Sequence, residues 1–127
     1  MDMAERFGQT STAQRLKVGA ILYKNGGLIS LGCNGQPPGW HTEVCEDDEG
    51  NTLPTVRHAE EAALQKLYLS TETSEGAEMF VSHAPCLQCS LKIVAAKIKK
   101  VYYRHEYRSQ DGLNYLIEQG VEVERIQ

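Results

Sequence analysis

Pro85-Cys86-Leu87-Gln88-Cys89 sets two thiols three residues apart, at a point where a proline favours the start of a helix. Positions three apart share one helical face, so both sulfurs can reach one ion. A helix N-terminus also lowers a thiol's pKa toward the thiolate that a metal requires. Two ligands leave the shell open, because a stable zinc site takes three or four. Another segment must complete it, and the fold has to bring that segment to the same point.

The candidate is Val56-Arg57-His58-Ala59-Glu60, 28 positions earlier (86 − 58). In mid-helix, His58 and Glu60 would point to nearly opposite sides. At a first turn, an ion near the helix axis can be approached from either side, and it meets free N–H groups and the positive end of the helix dipole. His58, Cys86 and Cys89 then supply three protein ligands, the count of a catalytic zinc site that keeps a fourth position for water. Glu60 stands beside them as a base.

The hydrophobic pattern shows how two helix starts could meet. Lys17–Tyr23 and Leu28–Gly32 are β-favouring runs joined by Lys24-Asn25-Gly26-Gly27, a hairpin signal. Arg57–Leu69 predicts a helix with Ala59, Ala63 and Leu67 on one stripe, and Glu78–Ser82 a strand. Leu87, Leu91, Val94, Ala95 and Ile98 recur at helical spacing, Val101–Tyr103 is a strand, Gly112–Gln119 a helix closed by Gly120, and Val121–Val123 a last strand. This order predicts an α/β fold of three layers, a mixed five-stranded sheet with helices on both faces and parallel pairs in its later part. Both ligand-bearing helices would follow parallel strands and begin at one sheet edge, where open α/β sheets bind ligands. Strand alternation turns His83 away from that site.

Residues 34–56 show no regular pattern, as expected of a functional lid or a disordered loop. Their acidic run Glu46-Asp47-Asp48-Glu49 reads as a solvated face and Cys45 as a packing thiol. His41 and Cys45 are too few for a second metal. The 127 residues suit a single domain, 1–127, and 13 Lys plus Arg against 17 Asp plus Glu give a net charge of −4. That balance disfavours a nucleic-acid polymer as partner. The absence of an apolar leader or membrane-length run, with free thiols, predicts a cytoplasmic protein that does not engage a membrane.

His58-Ala59-Glu60 followed by Pro85-Cys86-Leu87-Gln88-Cys89 resembles the H-x-E and P-C-x-x-C signature of the zinc-dependent cytidine deaminase superfamily. Arg15–Ala20 and Gly32–Gly39 resemble the R-x-x-V-G-A and G-Y-N-G-x-P-x-G blocks of deoxycytidylate (dCMP) deaminases, and Tyr103–Arg108 resembles that family's segment after a strand. The resemblance implies a cytidine deaminase-like fold and one catalytic Zn2+ on His58, Cys86 and Cys89. It implies hydrolysis of dCMP to dUMP and ammonia by a zinc-activated water, with Glu60 as proton shuttle. Asn34 would bind the sugar, Tyr107 would pack near the pyrimidine, and Arg108 would fork onto the 5′-phosphate. The family is commonly a homohexamer, activated by dCTP and inhibited by dTTP, with Mg2+ a companion of the triphosphate. Those effectors point to Gly32, Cys33, Asn34 and Gly35, where Cys33 takes the place of the family's tyrosine. Two alternatives stay open: a tRNA adenosine or other polynucleotide deaminase of the same fold, and a structural zinc-binding module, in which Glu60 has no purpose.

Overall fold

In the computed structural model, which describes residues 1–127, Asn25 and Gly26 both adopt positive φ, 52° and 81°. This is the two-residue turn whose twist matches a hairpin. It joins β1 (Gly19–Lys24) to β2 (Gly27–Cys33), with Lys24 paired to Gly27 and Gly19 to Cys33. The remaining elements are α1 (Asp2–Gly8), α2 (Ala59–Lys66), β3 (Glu78–His83), α3 (Leu87–Ala95), β4 (Lys100–His105), α4 (Asp111–Glu118) and β5 (Glu122–Arg125). The strands form one sheet in the order β2-β1-β3-β4-β5. β1 is antiparallel to both neighbours, whereas β3, β4 and β5 are mutually parallel, giving the expected mixed sheet. The fold is the expected α/β one, and no helix is long and apolar enough to cross a membrane.

Two close approaches define the layers. A Cβ on Gly19 would lie 2.6 Å from the backbone N of Gly8 in α1, and one on Gly32 would lie 2.5 Å from the backbone N of Ala63 in α2. Gly32 pairs with Ala20, the neighbour of Gly19, so the two glycines face opposite sides of the sheet. α1 therefore covers one face and α2 the other. On the α2 face, Leu22, Met79, Val81 and Val101 pack with Ile93 of α3 and Leu116 of α4, all fully buried. α1 itself lies outside the sequence prediction, which places no element before Lys17. Its only buried residues are Ala4 and Gly8, too few for a periodic stripe. Partners far along the chain hold it: Asp2 accepts from Arg104 at 2.6 Å, and Glu5 contacts His105 at 2.5 Å.

Element ends move for local reasons. Lys17 and Val18 stay out of β1 because Val18 N–H donates to Asn34 Oδ1. Arg57 stays out of α2 because it pairs with Gly35. The predicted helix end at Leu69 is a 3₁₀ turn, Leu67–Leu69. α3 stops at Ala95 rather than Ile98 because Lys97 adopts φ 60° and ends the helix.

Gly32→Ala should force α2 off the sheet, since backbone rather than a flexible side chain blocks the added methyl. The expected loss is about 1–3 kcal/mol, read from denaturant unfolding.

Candidate metal and active site

The arrangement of β2 and β3 brings two helix starts to one place. Each is antiparallel to β1, so they run in the same direction, and their continuations meet the helices at the same sheet edge. Cys86 is the residue before the first turn of α3, with extended φ −74° and ψ 172°, and His58 is its counterpart before α2, at −75° and 159°. His58 Nδ1 lies 3.2 Å from Cys89 Sγ and 3.6 Å from Cys86 Sγ. All three donor atoms fall within 4.8 Å of one another. Bonds of about 2.1 Å to nitrogen and 2.3 Å to sulfur at a tetrahedral angle put the two donors about 3.6 Å apart, so the set fits zinc with little movement.

One carboxylate ties the two starts together. Glu61 Oε1 accepts from the His58 backbone N–H at 3.2 Å, as in a capping box, while Glu61 Oε2 accepts from Lys92 Nζ of α3 at 2.7 Å. Sequence reasoning missed this clamp, although Glu61 stands three residues after His58, the spacing of a capping box. Burial alone would raise the Glu61 pKa, but the bonds from Lys92 and His58 outweigh it and hold the carboxyl below its ordinary value.

The donors are electrostatically prepared. A hydrogen bond from Cys89, with another from His58, pulls Cys86 far below an ordinary thiol, whereas Cys89 keeps the shared proton and is pushed up by that bond and by burial. A divalent cation takes the place of such a shared proton. The Cys86 hydrogen bond also raises His58. Glu60, 4% exposed, is pushed up to about 7 by burial. A cation held by the adjacent ligands would favour its ionised form.

His58, Cys86 and Glu60 border a cavity of about 510 Å³. The sequence-proposed Asn34, Tyr107 and Arg108 line the same cavity with His58, Glu60 and Cys86. Asn34 spends half its amide on structure, accepting from Val18 N–H at 2.9 Å and donating to Leu16 O at 2.7 Å. One N–H and one lone pair remain. The Arg108 guanidinium sits 5.7 Å from the Tyr107 ring centroid and makes no ion pair within the chain. The four residues of the effector block do not converge. Gly32 packs on α2, Cys33 Sγ accepts from Thr10 Oγ1 at 3.6 Å, Asn34 faces the cavity, and Gly35 pairs with Arg57.

Several lining residues had no assigned role. Arg15 and Glu106 line the cavity, and so does His83, contrary to the alternation argument. His83 is the last residue of β3, and its ring turns to Ser82 Oγ and the His105 ring at the sheet's end, beside the cavity. Glu46 is more than part of a solvated acidic run, because its Oε2 accepts from the backbone N–H groups of Gln14 and Arg15 at 3.0 and 3.1 Å. Cys45 is a packing thiol as expected, 1% exposed beside Ala13 and Val56.

Residues 1–105 match the family model described as the cytidine and deoxycytidylate deaminase zinc-binding region. The chain belongs to that family. Its fold superposes with a TM-score of 0.96 on the crystal structure of a dCMP deaminase from cyanophage S-TIM5 in complex with dCMP and dUMP, at 50% identity over 98% of this chain and 92% of that one. ComE operon protein 2 of Bacillus subtilis is 36% identical over 92% of the chain, which spans 64% of that protein's length. The deoxycytidylate deaminase of Mycobacterium phage D29 is 32% identical over 84% of this deaminase-family chain, which covers 91% of it.

The donor geometry predicts one zinc per chain by elemental analysis. Cys86→Ala and Cys89→Ala should lose it, whereas Cys33→Ala should keep it. Glu61→Ala should retain the ligands but weaken zinc affinity about 10-fold to 100-fold, measured by competition with a chromogenic chelator.

Proposed function

We propose that residues 1–127 form a single deaminase domain that hydrolyses dCMP to dUMP and ammonia. The observation that carries this reading is the shared cavity: the buried Glu60 lines it with His58 and Cys86, the buried Cys89 completes the donor set behind them, and an unpaired arginine stands on its wall. The 50% identity to a dCMP deaminase that binds dCMP and dUMP supports the substrate. Zinc bound by the three donors would supply an activated water at neutral pH.

The chain's own residues do the rest. Glu60, with a carboxyl pushed up to about 7, takes a proton from the attacking water and passes it to N3 of the cytosine ring. Burial favours its protonated form and a held cation its ionised form, opposing pulls that suit a group that must both accept and release a proton. Attack at C4 makes that carbon tetrahedral. Glu60 then carries the second water proton to the N4 amine, which leaves as ammonia, and the ring keeps the oxygen as the uracil carbonyl. Arg108 takes the 5′-phosphate in a guanidinium fork, with its plane steadied by Tyr107, whose ring also faces the pyrimidine. Asn34 offers its spare amide N–H to the deoxyribose, with its own position fixed by Leu16 and Val18.

Two further parts of the proposal rest on the motif resemblance: activation by dCTP and inhibition by dTTP, with Mg2+ accompanying the triphosphate; and assembly as a homohexamer or other homo-oligomer. A cytoplasmic location is proposed from the free thiols and the lack of an apolar run. In the effector block, Cys33 replaces the motif's tyrosine.

Loss of cytosine absorbance on dCMP and deoxycytidine, with ammonia release from a tRNA stem-loop, tests the reading, and turnover should be confined to dCMP or strongly favour it. Glu60→Gln should keep its zinc and lose about 10²-fold to 10⁴-fold in kcat. Arg108→Ala should cost about 10-fold to 100-fold in kcat/KM on dCMP and little on deoxycytidine. Turnover of the stem-loop alone would replace this reading with that of a polynucleotide deaminase.

A further inference from the structure

His83 is fixed on the cavity wall by an unusually determinate set of bonds. Its neighbour Ser82 is fully buried, and Ser82 Oγ accepts the backbone N–H of Gly19 at 3.1 Å. The same oxygen lies 2.9 Å from His83 Nδ1. If Nδ1 carried the ring proton, the hydroxyl would have two donors aimed at it and no acceptor for its own proton, an unsatisfied buried donor. The network therefore sets Ser82 Oγ–H donating to Nδ1 and leaves the proton of the neutral ring on Nε2. Burial and the neighbouring His105 hold the His83 pKa below its ordinary value, in keeping with a neutral ring. The His105 ring packs against it at 4.8 Å and is anchored by Glu5, which fixes the ring's plane. Nε2 has no hydrogen-bond partner in the chain, and His83 is one of the residues that line the cavity.

We propose that this Nε2–H donates a hydrogen bond to the 5′-phosphate of the nucleotide, making His83 a determinant of specificity for the phosphorylated substrate. The inference rests on the dCMP reading above. Position selects the phosphate. His83 lies three residues before Cys86 on one side. On the other, its register partner His105 leads through Glu106 directly into Tyr107 and Arg108. A substrate with its base over Glu60 and its phosphate at Arg108 passes the His83 ring at the phosphate end. Phosphate oxygens only accept, and a ring edge locked as a donor matches them. A neutral donor adds a contact without placing a second cation against Arg108.

The test compares wild type, His83→Leu and His83→Gln as zinc-loaded proteins on dCMP and deoxycytidine. Dissociation constants for dUMP and deoxyuridine are compared in the same way where deoxycytidine turnover is too slow. His83→Leu should lose about 10-fold to 100-fold in kcat/KM on dCMP, the effect of one hydrogen bond to a charged group, with deoxycytidine and zinc content unchanged. His83→Gln, whose amide N–H reaches near the position of Nε2–H, should recover most of that loss. An equal loss on both substrates, no loss on dCMP, or a loss that vanishes with 3′-deoxy-dCMP would overturn the assignment. The last would make the sugar hydroxyl the partner. A wild-type protein inactive on dCMP would refute the function reading itself, whereas an active wild type with an unaffected His83→Leu refutes only this inference.

Discussion

β1 runs against both of its neighbours, and the site depends on that arrangement. A strand antiparallel to two others makes those two co-directional, so the chain leaves β2 and β3 heading for the same edge. Only then can His58 and the Cys86, Cys89 pair, separated by nearly thirty residues of sequence, stand as the starts of two adjacent helices. Gly32 lets α2 settle directly on the sheet, and the Glu61 bridge to Lys92 holds the two starts in register. Cys89 stands in α3, and His58 and Cys86 are the residues that cap α2 and α3, which suits a site that must hold its geometry to fractions of an ångström.

Much of this was readable in the residues. The Asn25-Gly26 turn, the sheet's mixed character and the joining of His58 to Cys86 and Cys89 all follow from local chemistry and element order. Tertiary effects governed what was missed. α1 has no periodic stripe because it meets the sheet through only Ala4 and Gly8, packed on Gly19, with polar contacts to Arg104 and His105 a hundred residues away. The end of α3 depended on Lys97 adopting a left-handed conformation that its identity does not signal. His83 was misplaced because it ends its strand, where contacts to Ser82 and His105 rather than alternation set the ring. Glu46 looked like one member of a charge block until two backbone N–H groups were found on its oxygen.

Glu60 shows the tension between folding and chemistry. A carboxyl group 4% exposed beside Ala59 and Ala63 is a poor choice for stability, since burial disfavours its charge. The same burial brings its proton affinity near neutrality. Small alanines around it keep α2 tight against β1 and β2, so the strain of an ionisable group falls on one residue and does not spread into the packing.

Residues 34–57 form one wall of the cavity without a helix or a strand, and two isolated bridges, Gly35 to Arg57 and Glu46 to Thr52, are their only ladder contacts. A three-residue cluster around Cys45 and the single Glu46 carboxylate fasten that span to the segment carrying Arg15. Local opening begins where backbone bonds are few and buried area is small. The cavity thus joins a floor set at the starts of two helices to a flank tied down by few backbone bonds.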